Sequence, residues 1–247
     1  MSRVTLFAIS AAVSVALMAA ALILTKPALT SDVTASYEVR GDGIVLLEGD
    51  PEPWHDAAWE RWVELVPASD RWRVARFEAI DGSSDGQVEP VSESLQVWIL
   101  RISDLEGDVL DVALIHELGH LISLGPDQIL PGTDPTVESE CITYLSIEGC
   151  AIPGGVFDRF VTEFWDTTTG WESGDAATGQ RYLADTDAFV TRYAASNPGE
   201  DLAETFVFFV YRLKPEGDSI AEQKIRLLWE FPDLVELRSA LRRNLTG

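Results

Sequence analysis

The chain has 247 residues, enough for one sizeable domain or two small ones, and its 46% hydrophobic content with eight Trp marks a globular protein rather than a disordered one. Its 18 Lys and Arg stand against 41 Asp and Glu, a net charge of −23. That balance repels a phosphate backbone and excludes nucleic acid as a partner; the acid is read as a well-solvated surface rather than a site for basic ligands.

At the N-terminus, "MSRVTLFAISAAVSVALMAAALILTKPALT" carries one Arg, an uncharged run from Val4 to Leu24, and then Lys26 and Pro27. The run is long for a signal-peptide core and just long enough to cross a bilayer at ~1.5 Å per residue. Residues 1–35 are therefore expected to be an export signal or a membrane anchor. Cleavage, for instance after Val33-Thr34-Ala35, or retention is left open. Either way the remainder is expected outside the cytoplasm, because the positive charge precedes the apolar run. No Cys lies near enough for a lipid anchor.

Residues 36–106 read as a small mixed α/β lobe. In "PWHDAAWERWVELVP", Trp54, Ala58, Trp62 and Leu65 recur at helical spacing, and His55 on this helix is expected at the surface or a boundary. "RWRVARFEAI" and "SLQVWILRIS" are β-rich runs. The intervening "DGSSDG" lacks the ligand spacing and closing Glu of an EF-hand loop and is read as a turn.

From residue 107 to 247 the pattern is mainly helical. "DVLDVALIHELGHLISL" starts at Asp108 as N-cap, is apolar nearly all round, and stops at Gly125-Pro126, so a buried helix is expected. "GVFDRFVTEFWD", "ADTDAFVTRYAAS", "NPGEDLAETFVFFVYRL", "SIAEQKIRLLWEF" and "DLVELRSALRRNL" follow, the third with Asn197 as cap and Pro198 at the first helical position. Between the first two helices lie the chain's two cysteines, Cys141 and Cys150. Outside the cytosol such a pair is expected to form a disulfide, worth about 2.5 to 3 kcal/mol in the chain-entropy model. The alternative is two buried free thiols.

The chemistry concentrates in "HELGH". His116 and His120 lie one helical turn apart on one face and can offer imidazole nitrogens to one ion. Zinc takes such nitrogens readily, and a catalytic zinc site keeps three protein ligands and leaves a fourth position to water. Glu117 leans toward that water and can take its proton. The alternative is a pair of satisfied core histidines with no metal, but an unpartnered Glu in a buried helix would then cost several kcal/mol.

The third ligand is not in the motif itself. A metzincin would place Gly at 123 and His at 126, where this chain has Ser123 and Pro126. A thermolysin-like spacing lands on Glu140, without the pattern that accompanies it there. "NPGEDLAE" offers Glu200 and Glu204, four residues apart, so both can face the HELGH helix.

"YAASNPGEDLAETF" resembles the second signature of the anthrax lethal factor family and the related Pro-Pro endopeptidases, exported zinc metallopeptidases of the gluzincin type. That family has a Tyr seven residues before its Glu ligand and a further Glu one turn later, matched here by Tyr193, Glu200 and Glu204. The resemblance covers the HELGH helix and residues 193–206. It implies that Glu200 is the third zinc ligand, that Tyr193 points its phenol at the oxyanion of the tetrahedral intermediate, and that Glu204 supports a ligand histidine from behind. Read without it, Glu200 is the reciprocal partner of the Asn197 cap, Tyr193 a core aromatic, and Glu204 and Asp201 a solvated or capping face. Residues 36–106 match no motif.

A zincin also needs a strand beside the cleft, to which an extended peptide adds. "SLQVWILRIS" is the candidate; its poor alternation fits an interior strand equally well. The chain is thus read as a zincin-like α+β fold, with the HExxH helix in the helical lobe. The expected activity is zinc-dependent peptide-bond hydrolysis on a peptide or protein substrate. The alternative is a zinc-binding but non-proteolytic cell-surface interaction protein. The sequence does not give an oligomeric state.

Overall fold

A computed structural model describes residues 32–71, 73–82, 84–131, 141–165 and 173–246. The fold is mixed α/β. It opens with a hairpin, β1 (Val33–Arg40) and β2 (Gly43–Gly49), followed by α1 (Pro53–Leu65), a short helix α2 (Ala68–Arg71), and the strands β3 (Val74–Ile80), β4 (Gly86–Pro90) and β5 (Trp98–Ile102). The five strands form one sheet in the order β2-β1-β3-β5-β4, in which β3 and β5 run parallel and every other pair is antiparallel.

β5 occupies the interior position because its residues are apolar on both faces: Trp98, Ile99, Leu100 and Ile102 are all buried. "SLQVWILRIS" is therefore not the edge strand expected of it. The edge beside the cleft is β4, from "GQVEP", a stretch of weak strand propensity whose Pro90 is tolerated at an edge. Its register is fixed by charge as well as by the ladder. Arg101 on β5 donates to Glu78 on β3 at 2.8 Å and to Glu89 on β4, tying three strands across one face.

After the sheet come α3 (Gly107–Ser123), a two-residue pairing of β6 (Ile129–Leu130) with β7 (Cys150–Ala151), α4 (Val156–Phe164), α5 (Asp175–Ala184), 3-10 turns at Thr186–Ala188 and Tyr193–Ala195, α6 (Pro198–Tyr211), α7 (Ile220–Leu228) and α8 (Pro232–Leu245). The helix expected to be capped by Asp108 is capped two residues earlier by Glu106, whose side chain makes no cap bond. "ADTDAFVTRYAAS" forms two short 3-10 turns rather than a helix, because Asp185 bonds the backbone of Asp187 and Thr191 that of Ala194. Helix α5 and the β1–β2 hairpin lay unrecognised in the sequence. The disulfide is present, Cys141 to Cys150, with Cα atoms 5.6 Å apart.

The two halves share one hydrophobic core. Trp62 and Phe77 from the first half pack in the same cluster as Leu118, Phe206 and Leu241 from the second. Asn244 near the C-terminus donates to the carbonyl of Leu65 at 2.9 Å. His55, expected near the surface, is wholly buried; its Nδ1 receives the Tyr37 hydroxyl at 2.6 Å and the Glu52 N–H at 3.2 Å. It serves as the buried hinge between β1 and α1. Among the described residues no helix is long and apolar enough to cross a membrane. The apolar run Val4–Leu24 lies outside them, whereas Val33, Thr34 and Ala35, at the end of the segment expected to be an export signal or anchor, belong to β1.

Candidate metal centre

Two helices build the site. α3 is buried along most of its length, as its apolar sequence dictates, and it packs on α6 at a point where both backbones are bare. A Cβ placed on Gly119 would meet the Cα of Ala203 at 3.0 Å, tighter than packed side chains ordinarily stand, so glycine favours this approach. The close crossing is what lets short carboxylate arms on α6 reach imidazoles on α3. α6 in turn is anchored at its start by Asn197, whose Oδ1 receives the N–H groups of Gly199 at 2.9 Å and Glu200 at 3.1 Å, with Pro198 following it. The cap takes the backbone of Glu200 and leaves its side chain for the histidines.

His116, His120 and Glu200 converge. His116 Nε2 and Glu200 Oε2 are 3.1 Å apart, His120 Nε2 and Glu200 Oε2 3.2 Å, and the two Nε2 atoms 3.1 Å. They are close enough to hold one metal ion. Four ligands at ~2.0–2.1 Å around a tetrahedral ion would stand about 3.3 Å from one another, close to this triangle.

The proton count points the same way. His116 Nδ1 lies 2.8 Å from Glu204 Oε1, and Glu204 Oε2 receives the Thr191 hydroxyl at 2.7 Å. With Nδ1–H given to Glu204, neutral His116 turns a lone pair toward the Glu200 carboxylate. Such an approach of two acceptors needs a proton or a cation between them. Accordingly, although burial opposes it, the bonds to Glu200 and Glu204 push the His116 pKa up to about 10. Glu200 is held well below the usual carboxylate range: burial works against its charge, but the bonds to His116 and His120 prevail. A metal cation satisfies the same atoms without the extra proton. The residues present therefore fit a metal.

Glu117 stands apart from the triangle. It is 3% exposed, its Oε2 has no hydrogen-bond partner among the described residues, and a backbone N–H bond comes from Val88 on β4. Burial pushes its pKa up, and the two histidines draw it back. Gly86 at the start of β4 faces it so closely that a Cβ there would sit 2.9 Å from Glu117 Oε1. The edge strand thus supplies both a donor and a close wall to this carboxylate.

Tyr193, on the 3-10 turn before α6, is 54% exposed, and its ring centroid lies 5.9 Å from that of His116. Burial, together with the charge of the nearby Glu200 carboxylate, raises its pKa. It is a cleft residue, not a core aromatic. Asp201, expected as cap or surface, is instead fully buried, with Oδ2 2.6 Å from Lys224 Nζ and 2.8 Å from Trp165 Nε1. Glu140, the other carboxylate at a plausible spacing, lies outside the described residues.

His116, Glu117, His120, Tyr193, Glu200 and Glu204 open onto a cavity of about 1200 Å³, walled by β4, α3, the disulfide loop at Tyr144–Glu148 and the start of α6. Thr191, Gly86 and Val88 were not singled out in the sequence. Compared with protein-family models, with curated proteins and with solved structures, the chain matches none.

Proposed function

We propose that this protein is a zinc metalloendopeptidase with a zincin-like active site, acting outside the cytoplasm. The carrying observation is the pairing of a His116/His120/Glu200 triangle with a separate buried carboxylate, Glu117, that has an uncommitted oxygen at the cleft. A metal held only for structure needs neither that carboxylate nor a phenol beside the ligands, which is why this reading is preferred over a non-proteolytic zinc-binding surface protein.

His116, His120 and Glu200 would hold the ion. When bound there, zinc acidifies water and polarises a carbonyl group. The remaining work falls to side chains of this chain. Glu117, its proton affinity raised by burial, takes a proton from water at Oε2 and returns it to the leaving amine. The Tyr193 hydroxyl, with a raised pKa, stays protonated at neutral pH and donates to the oxygen on which charge develops, an effect worth a few kcal/mol. Glu204 accepts from His116 Nδ1 and so keeps the Nε2 lone pair directed into the triangle. The exposed edge of β4 offers main-chain groups to an extended peptide, the role first assigned to the apolar strand that proves interior.

The test is to measure bound zinc and cleavage of an unbiased peptide library for the described part of the chain and for Glu117→Ala. Retained zinc with cleavage reduced by about 10²–10⁴ is expected of the variant. Absence of zinc from both proteins would sink the reading, and zinc in both without cleavage by either would favour the interaction protein.

A further inference from the structure

A second groove, of about 740 Å³, runs between α1 and the first turns of α3. Trp54, Ala57 and Leu105 wall it, and the exposed carboxylates of Asp104, Glu106 and Asp108 lie along it. The one Arg in it, Arg61, is matched by Asp111 at 2.6 and 2.9 Å, so the groove is acidic as a whole.

Asp108 lines both this groove and the metal-site cavity, so the two meet at the start of α3. The wall of the metal-site cavity leading to this junction is apolar. Val109 is 56% and Val112 39% exposed, on a helix that buries Leu110, Leu114, Ile115 and Leu118. Val109, Val112 and His116 are spaced three and four residues apart and share a face. They form a track from the metal ligands to the groove. The eight residues from Asp108 to His116 span about 12 Å of helix, the reach of about four residues of extended chain.

We propose that this groove docks a distant part of the same polypeptide that is cleaved, an extended segment with an apolar side chain flanked by Lys or Arg, about four or more residues from the scissile bond. The inference rests on the peptidase reading of the cleft. Exposed valines leading out of a cleft are costly to leave in water, and a peptide laid along them removes that cost. The carboxylates match a basic flank, and Trp54 with Leu105 matches the apolar residue.

The experiment compares randomised peptides of about 8 and about 16 residues on the zinc-loaded protein, the longer ones able to span the track and reach the groove. The long peptides should be cleaved about tenfold more efficiently per bond, with apolar and basic residues enriched beyond the fourth position on one side of the cut. Ala57→Gln, at an exposed helix position, fills the groove; Trp54→Ala removes its aromatic wall. Each should bring the long peptides down to the level of the short ones through KM, with kcat and short-peptide cleavage unchanged. Equal cleavage of both lengths by the wild type, or a length dependence that Ala57→Gln leaves intact, overturns the proposal. Retention of the long peptides by zinc-loaded Glu117→Ala separates this from the peptidase reading. If nothing is cleaved but Ala57→Gln still weakens retention, the peptidase reading fails and the docking surface stands. Self-association that Ala57→Gln abolishes would assign the groove to a second copy of the chain and overturn it.

Discussion

Glu200 and Asp201 are neighbours in the first turn of α6, yet they face two very different sites. Asp201 points into the protein, where Lys224 Nζ meets its Oδ2 at 2.6 Å, also donates to the Ala188 carbonyl, and lies 4.1 Å from the centre of the Phe189 ring. Burial pushes Asp201 up to about 6 and Lys224 down, so both charges are penalised and each depends on the other. Glu200 points the other way, into the large cavity, and its Oε2 lies within hydrogen-bonding distance of the Nε2 atoms of both histidines. The first cluster is closed by aromatic rings and fixes the turns around α6. The second is open to the cavity and close enough to hold a metal ion. Depth of burial alone does not separate a structural charge pair from a candidate functional site; Asp201 meets a cation that the chain itself supplies, whereas Glu200 meets two imidazoles at the wall of an open cavity.

Substitutions on the two sides of this turn should break the comparison cleanly. Lys224→Met leaves a fully buried carboxylate alone and is expected to destabilise the fold by about 3–5 kcal/mol, read from denaturant unfolding of the metal-free protein. Glu200→Gln removes a bond to His116 that also steadies the metal-free protein, but at a partly exposed cavity wall, so it should lower that stability by less than Lys224→Met. It should weaken zinc binding by more than the ~10–100-fold expected on losing a supporting partner, an effect Lys224→Met should not share. Equal losses of metal-free stability with equal losses of zinc affinity in the two variants would erase the contrast between the clusters. Glu204→Gln comes next: zinc affinity should fall about 10–100-fold by competition with a chelator, because an amide holds the His116 tautomer less firmly.

Gly86→Ala probes the carboxylate that belongs to neither cluster. The added methyl would overlap Glu117 Oε1 and crowd Ile102 Cδ1, at 2.9 and 3.1 Å. Displacing a base by this much is expected to lower kcat about tenfold or more with zinc content unchanged. Equal kcat in the variant would show that β4 does not position Glu117.

How much of this was legible in the sequence follows from which contacts are local. The His116, Glu117 and His120 arrangement needs only helical periodicity. Glu200, Glu204 and Tyr193 reach those residues from more than seventy positions away, and only their resemblance to a known signature connected them in advance. The edge strand was misplaced because strand propensity tracks burial. "SLQVWILRIS" is the stronger strand by composition for the same reason that it is interior, while "GQVEP" carries little strand signal because an edge tolerates Gly and Pro. His55 and Asp201 were assigned to the surface by residue type. Their burial depends on partners supplied by β1 in one case and α7 in the other.

Thr191 carried no signal in the sequence, yet its hydroxyl joins the two halves of the proposed machinery. It donates to Glu204 Oε2 at 2.7 Å and accepts from the Ala194 N–H at 3.0 Å, so one oxygen braces both the carboxylate behind His116 and the turn that presents Tyr193. Thr191→Val keeps the shape and removes both bonds, each worth about 1 kcal/mol. Zinc affinity is expected to fall about fivefold through Glu204, and kcat of the zinc-saturated protein by a similar factor through Tyr193, whereas Thr191→Ser should restore both. A loss of overall stability without either change would make Thr191 a plain turn residue. A fall in affinity alone would show that Tyr193 is held in place without this brace.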